Sequence, residues 1–420
     1  MTRGWSRVLP FVLLAAARSA AGYAVFTHQA LIDAAWDRLI RPALLARFPG
    51  MTEPQLDEAH AYAYGGSAIQ DLGYYPFGKG FFSDLTHYVR SGAFVSALFD
   101  VARGPNDYAF AIGALSHYVG DSVGHSEAIN PSTVIAFPKL KRKYGQTVTY
   151  EDAPIDHIRT EFGFDVAQIA RRRYAPNAYQ KYIGLRVAGR ALDRAFYQTY
   201  GFRARGLLGP LRPAIASYRR SVRAIFPEFA KATVVLMRHR LPFEAPDAAR
   251  QRFVDALAAT DYSRHWSNRY TSPGIGAHVL AFVIRILPKV GPLRILSIKA
   301  PVTETEDLFA KSFDAALTQF GELLRRVEAD PPLGGALPDR DLDTGELVKA
   351  GAYRRADNTY AKLLEKVTTP AGKNVPSGLR EAILSYYSDP SAPIDTKKHP
   401  KAWARVQRQL EILRSSESHP

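Results

Sequence analysis

The chain is predicted to be mainly α-helical, on three observations. Apolar residues recur at steps of three and four in "THQALIDAAWDRLIRPALLARF", "YIGLRVAGRALDRAFYQTY" and "LFAKSFDAALTQFGELLRRV", the spacing that lines one face of a helix. Strand-type alternation is scarce and scattered. Loops containing Pro and Gly, such as "YYPFGKGFF" and "RGLLGPLRPA", separate the periodic stretches and divide them into a multi-helix bundle.

With 46% hydrophobic and 23% charged residues over 420 positions, the composition is that of a globular protein, not of a disordered or membrane-spanning one. Residues 1–22 read as a signal peptide: Arg3 and Arg7 precede an apolar run from Val8 to Ala17, and small residues come after it. That run is shorter than the roughly 20 residues that cross a bilayer, so export to the periplasm or the medium is expected. The chain has no cysteine, so disulfides cannot staple it, and bound metal would serve instead.

Residues 23–327 read as one helical domain. "EADPPLGGALPDRDLDTGE", residues 328–346, clusters Pro, Gly and Asp as a linker does, and the chain from there to residue 420 reads as a helical C-terminal extension. Charge is uneven. Residues 23–165 hold 11 Lys+Arg against 16 Asp+Glu, whereas residues 166–299 hold 24 against 6, which suits a face that meets something anionic or a solvated basic surface. Residues 274–300 are apolar with interspersed Arg and Lys and are broken by Pro288 and Pro292; a buried core helix is the expected reading, with an interfacial lipid helix as the alternative.

In "YAFAIGALSHYVGDSVGH", His117, Asp121 and His125 stand at four-residue steps. On a helix each such step drifts about 40° and climbs about 6 Å, so the three share one stripe. They could ligate adjacent metal ions, with the two carboxylate oxygens as a bridge. Equally, each could be a satisfied core residue, with Asp121 paired to an arginine. Six of the 11 histidines fall within residues 28 to 157: His28, His60, His87, His117, His125 and His157. "IDHIRTEFGFD" puts His157 and Glu161 on one helix face, as a metal pair or an ion pair. Asp71, between "YGGSAIQ" and "LGYYPFG", belongs to a loop or a helix end, where it could also be a cap. His87, in "FFSDLTHYV", is a ligand or a ring packed among Phe81, Phe82 and Tyr88.

In this order, His28, Asp71, His87, His117-x3-Asp121-x3-His125 and His157-x3-Glu161 resemble the zinc-dependent phospholipase C family, which is related to the single-strand-specific zinc nucleases. "SHYVGDSVGHS" is similar to the branch that includes the catalytic domain of glycosylphosphatidylinositol-specific phospholipase D, which also has a histidine four residues after the aspartate. In the secreted bacterial phospholipases C and the nucleases that histidine comes two residues later. "DHIRTEFGFD" resembles the same branch's His-x3-acid-Phe-Gly-x-Asp segment, and the resemblance covers residues 23 to about 165.

The resemblance implies up to three zinc ions in a helical cleft. Asp71, His87, His117 and Asp121 would hold one; His125, His157 and Glu161 a second with an open position; His28 and the bridging Asp121 a third, with the amino group and carbonyl of the processed N-terminus. The spacing of the nuclease branch puts that N-terminus at Tyr23, by cleavage after Gly22; the small residues also permit cleavage after Ala21 or Ala24. Asp71 is implied as the catalytic residue that orients or deprotonates the attacking water.

The implied reaction is hydrolysis of a phosphodiester by hydroxide formed at zinc, which also neutralises the phosphoryl oxygens and the leaving alkoxide. Phospholipid is the expected substrate, because the closer resemblance lies in the lipase branch; single-stranded nucleic acid is the alternative. "RARGLLGPLRPAIASYRRSVRAIF" mixes Arg with Leu, Ile and Phe in a way that suits an anionic membrane surface. Tyr74, Tyr75 and Phe77 are candidates for holding a headgroup or stacking a base, and packing is their other reading. A non-enzymatic helical protein that binds lipid or nucleic acid and uses zinc only structurally would show a closed cluster. A di-iron bundle would want Glu-x2-His pairs, against which the four-residue spacing counts. The sequence points to no protein partner.

Overall fold

The computed structural model describes residues 23–174, 184–237, 239–241, 248–258, 272–328, 337–369 and 375–415. The expected signal peptide, residues 1–22, lies outside them. Among the described residues the fold is all-helical; the only extended pairing is an isolated bridge between Arg340 and Leu347. No described helix is long and apolar enough to cross a membrane.

The helices that place the site are α1 (Val25–Ala35), α2 (Glu53–Gly66), α3 (Gly80–Tyr88), α4 (Pro105–Gly124), α5 (Pro154–Ala170), α6 (Gly189–Tyr200), α7 (Phe226–Met237), α8 (Ile275–Ile286), α9 (Thr303–Glu328) and α10 (Arg354–Val367). α4 is the axis of the bundle. It is buried on every side from Tyr108 to Gly124, which is why its sequence is apolar all round and not amphipathic. α2 and α9 pack on it, and α1 lies beside both.

The α2–α4 crossing is set by glycine. A Cβ on Gly66 would stand 2.1 Å from the Phe110 carbonyl oxygen, and one on Gly113 would stand 2.1 Å from that of Ala63. Both neighbours are backbone, so neither can yield, and the two helices touch main chain to main chain. The result brings the Ser67 carbonyl within 3.0 Å of His117 Nδ1. Gly113→Ala is therefore expected to lower stability by about 1–3 kcal/mol through overpacking, measured by denaturant unfolding; an unchanged midpoint would show that the crossing can relax.

α5 is tied to α1 at its opposite end. Asp165 accepts hydrogen bonds from the Phe26 and Thr27 backbone N–H groups, both at 3.0 Å, and from the Thr27 hydroxyl at 2.7 Å. It satisfies donors that the first turn of α1 leaves open, as a cap does, but from 138 residues away in sequence. Through this contact α1 is held where His28 enters the core.

Three expectations need correction or refinement. The helix read in "YIGLRVAGRALDRAFYQTY" begins only at Gly189, because the Arg186 N–H donates to the Ala61 carbonyl at 2.8 Å and holds residues 184–188 against α2; residues 181–183 lie outside the described set. Residues 275–286 do form a helix, but it is buried only along Ala277, Leu280, Ala281 and Ile284, so the fully buried core helix is not what forms. The described part of the stretch read as a linker carries Leu337, Asp341, Leu342 and Asp343 buried. Locally it is the turn its composition suggests, with Asp341 accepting from the Asp343 and Thr344 N–H groups, but that turn is pressed into the bundle.

Candidate metal centre

His117 and Asp121 stand on the buried stripe of α4, and His125 begins the wider π turn, His125–Ile129, that continues it. Asp71 lies in the tight turn Gln70–Tyr74 beyond α2, His87 in the last turn of α3, and His157 and Glu161 one turn apart on α5. All eight expected residues, with His28 from α1, are buried and fall into three groups: His28, His117 and Asp121; Asp71, His87 and His117; His125, His157 and Glu161.

In the first two groups the donor atoms converge. His117 Nε2 is 3.1 Å and His87 Nε2 3.3 Å from Asp121 Oδ2, His87 Nε2 is 3.4 Å from Asp71 Oδ1, and the two Nε2 atoms are 3.4 Å apart. Four donors around a tetrahedral zinc at 2.0–2.1 Å are separated by about 3.3–3.4 Å, so these spacings fit the edges of such a site. The other oxygen of Asp121, Oδ1, lies 3.1 Å from His28 Nε2 and 3.4 Å from the Tyr23 backbone N–H. Asp121 thus turns one oxygen to each group. In the third group Glu161 Oε1 is 2.7 Å from His157 Nδ1 and 3.8 Å from His125 Nε2.

The remaining ring nitrogens explain why those facing atoms are bare. His87 Nδ1 donates to the Ser83 carbonyl at 2.8 Å, His117 Nδ1 to that of Ser67 at 3.0 Å, and His125 Nδ1 to that of Leu342 at 2.9 Å. A carbonyl can only accept, so each ring keeps a proton there and turns Nε2 inward, the atom that would give up any second proton to bind a metal. His157 is reversed: its Nε2 meets the side-chain oxygen of Asn130 at 2.9 Å, leaving Nδ1 towards Glu161. Both oxygens of Asp71, Nε2 of His125 and Oε1 of Glu161 are buried without a hydrogen bond. Lone pairs set against lone pairs in a dry interior need a proton or a metal cation between them. His60, the histidine outside the set, shows the contrast: it sits 3.2 Å from Asp33 and stacks on Trp36 at 3.8 Å.

Tyr23 and His28 reach α4 over Gly120 and Gly124. A Cβ on Gly124 would stand 2.7 Å from the Tyr23 ring, and His28 stacks on His117 with centroids 4.4 Å apart. The Tyr23 hydroxyl is fixed by Ser312 of α9 at 2.7 Å.

Several residues in direct contact with the ligands carry no motif by which the sequence could have singled them out. Asp343 places Oδ1 3.3 Å from His125 Nδ1, and its Oδ2 accepts from the Tyr88 and Tyr353 hydroxyls at 2.8 and 2.5 Å. The Leu342 N–H donates to the His87 carbonyl at 3.1 Å, and Asn130 Nδ2 to the Asp343 carbonyl at 2.7 Å. A dozen residues further on, Arg355 pairs with Asp84 at 2.8 Å and lies over the rings of Tyr74, Tyr88 and Tyr150. Of the substrate candidates, Tyr74 packs by His87 and Tyr75 packs on Tyr218; both are buried, while Phe77 is exposed.

The carboxylates make the centre attract positive charge. Burial pulls His87 down, but the facing carboxylates of Asp121 and Asp71 outweigh it and raise it to about 10. Burial is likewise outweighed at His125 by Glu161 and Asp343, which raise it to about 10. Asp121, although burial pushes it up, is held well below the usual carboxylate range by His117, His28 and His87. Because both histidines lie above their ordinary 6.5, their protonated forms stabilise the metal-free fold fully below pH 6.5, and that contribution is lost as pH rises through about 10. A bound metal requires them unprotonated and is lost as pH falls. Chelated protein should therefore lose thermal stability from pH 7 to pH 10 while metal-loaded protein does not; parallel melting curves would contradict this.

Comparison with known proteins agrees with this geometry. The family model for zinc dependent phospholipase C matches residues 27–206, which contain all eight of the expected ligands. No curated protein matches the chain. No solved structure matches it either.

Proposed function

We propose that this chain, whose residues 27–206 match the zinc-dependent phospholipase C family, is an exported zinc-dependent phosphodiesterase that hydrolyses phospholipid headgroup phosphodiesters. The observation that carries the reading is Asp121, one carboxylate whose Oδ1 faces His28 Nε2 and whose Oδ2 faces His117 and His87 Nε2. Neutral imidazole with carboxylate oxygen is a donor set that suits zinc, so the residues fit the metal of the family. When bound, zinc supplies positive charge to the phosphoryl and leaving oxygens and lowers the pKa of a coordinated water.

The chain's own residues do the rest. Ser67, Ser83, Leu342 and Asn130 hold the four imidazoles in one orientation each. Asp121, with one oxygen towards His28 and the other towards His117 and His87, would supply negative charge to ions on both sides. Asp71 turns Oδ1 to His87 at 3.4 Å and has neither oxygen in a hydrogen bond, which supports a role for it in orienting or deprotonating an attacking water. His125, His157 and Glu161 would supply three protein ligands, the number found where a catalytic zinc keeps a position open.

Two observations favour lipid over single-stranded nucleic acid. Tyr74 and Tyr75 are buried in packing contacts, so neither is a platform on which a base could stack. The basic part of the chain is apolar between its charges, as a lipid surface requires. Export is supported by residues 1–22 together with Tyr23, whose backbone nitrogen lies against Asp121: cleavage after Gly22 would make that nitrogen an amine beside the bridging carboxylate. N-terminal sequencing of the exported protein should begin at Tyr23; a start elsewhere removes this third donor.

The test of the reading is hydrolysis of phosphatidylcholine, phosphatidylinositol and single-stranded DNA with and without chelator. Chelator-sensitive release of a phosphorylated headgroup is expected. Cleavage of DNA alone would make the chain a nuclease, and unfolding on metal removal with no turnover of any substrate would make its zinc structural.

A further inference from the structure

Between residues 262 and 303 the sequence contains no Asp or Glu, and it is here that α8 lies. One face of α8, Ala277, Leu280, Ala281 and Ile284, is buried, and the helix packs on α7. Ile275, Val279, Phe282 and Ile286 form a second apolar stripe at steps of three and four, extended by Val290, with exposures from 51% at Val279 to 86% at Ile275. No described residue covers it. A contiguous exposed stripe of this size marks an interaction surface.

Its surroundings say what it meets. Beside the stripe a groove of about 650 Å³ is lined by Leu236 and Phe282 and by Arg240, His278 and Arg285. Arg240 and Arg285 make no ion pair with a described acidic residue. The turn beyond α8 is fastened to α5, the helix of His157 and Glu161: Arg294 reaches both oxygens of Asp156 at 3.1 Å, and Arg159 donates to the Ser297 carbonyl at 2.6 Å. Asp156 adjoins His157, and Arg159 lies two residues before Glu161.

We propose that this face docks the protein on an anionic phospholipid bilayer. Ile275, Val279, Phe282 and Ile286 enter the boundary between headgroups and acyl chains, and Arg240 and Arg285 meet the phosphates, as basic rims of interfacial helices do. A second copy fits poorly, since a two-fold contact along the stripe would set Arg285 near its own copy, and residues 262–303 carry no acidic residue to offset it. The inference deepens the phospholipid reading above and rests on it for the purpose of docking, not for the existence of the surface.

The test is flotation of the full metal-loaded chain with vesicles of phosphatidylcholine alone and with about 30% phosphatidylglycerol. Binding to the anionic vesicles is expected, weakened at least about tenfold by F282D with I286D and by R240E with R285E. Phe282→Ser is the milder variant if the charged pair lowers the thermal midpoint, and Ile412→Asp, at an exposed apolar position outside the stripe, should bind as the parent does. Unchanged binding by the stripe variants, absence of binding by the parent, or a parent dimer that they dissociate would overturn the proposal. Hydrolysis of a soluble phosphodiester is read separately: a parent that hydrolyses it but does not bind vesicles overturns the docking surface alone, and a parent that binds vesicles without hydrolysing it overturns the enzymatic reading alone.

Discussion

Replacing Asp121 by alanine should strip metal from two of the three groups at once and lower phosphodiester hydrolysis at least about a thousandfold. The size of the effect comes from sharing. Oδ1 lies 3.1 Å from His28 Nε2, and Oδ2 lies 3.1 and 3.3 Å from His117 and His87 Nε2, so one truncation removes an anionic donor from both sides. What remains is imidazole with Asp71 as the single carboxylate, and the like charges of two ions would no longer have a common counter-charge. The group of His125, His157 and Glu161 does not use Asp121 and should keep its ion. Metal content of the purified variant, read beside its activity, checks this. Asp121→Asn keeps one oxygen acceptor and should lose less metal than the alanine variant. Equal metal content in wild type and Asp121→Ala would show that the carboxylate is a structural partner of the histidines and not a bridge.

Asp343→Asn should weaken metal binding at the third group about 10- to 100-fold, the usual cost of removing a carboxylate behind a ligating histidine. His125 Nδ1 is held by the Leu342 carbonyl at 2.9 Å and faces Asp343 Oδ1 at 3.3 Å, and the negative charge makes the opposite nitrogen a better donor. Asparagine is of equal size and can still accept from the Tyr88 and Tyr353 hydroxyls, so the change removes charge and little else. Competition with a graded chelator should show one weakened ion and the others unaltered. Unaltered affinity throughout, in a variant that melts like the parent, would make Asp343 an anchor for the C-terminal segment only.

These two residues mark how far the sequence could be read. Asp121 was legible because a helix converts four-residue spacing into a stripe, and His157 with Glu161 was legible for the same reason. The assembly of His28, Asp71 and His87 around that stripe could not be had from spacing, since it depends on the α2–α4 crossing at Gly66 and Gly113 and on the bond from Asp165 to α1; only the order of ligands in a related family pointed to it. Asp343 was invisible. Its neighbourhood has the Pro, Gly and Asp content of a linker, and composition reports the local turn correctly while saying nothing of the bundle that buries it. α8 was obscured in a related way: a run with few charges looks the same in sequence whether both apolar faces are covered or one is left open.

The central claim is that His28, Asp71, His87, His117, Asp121, His125, His157 and Glu161 form one multi-metal centre. Metal analysis of the purified mature protein tests it most directly. The account predicts more than one zinc per chain, up to one for each of the three groups, removed by chelator together with hydrolysis. Fewer than one bound ion per chain in active protein would contradict it.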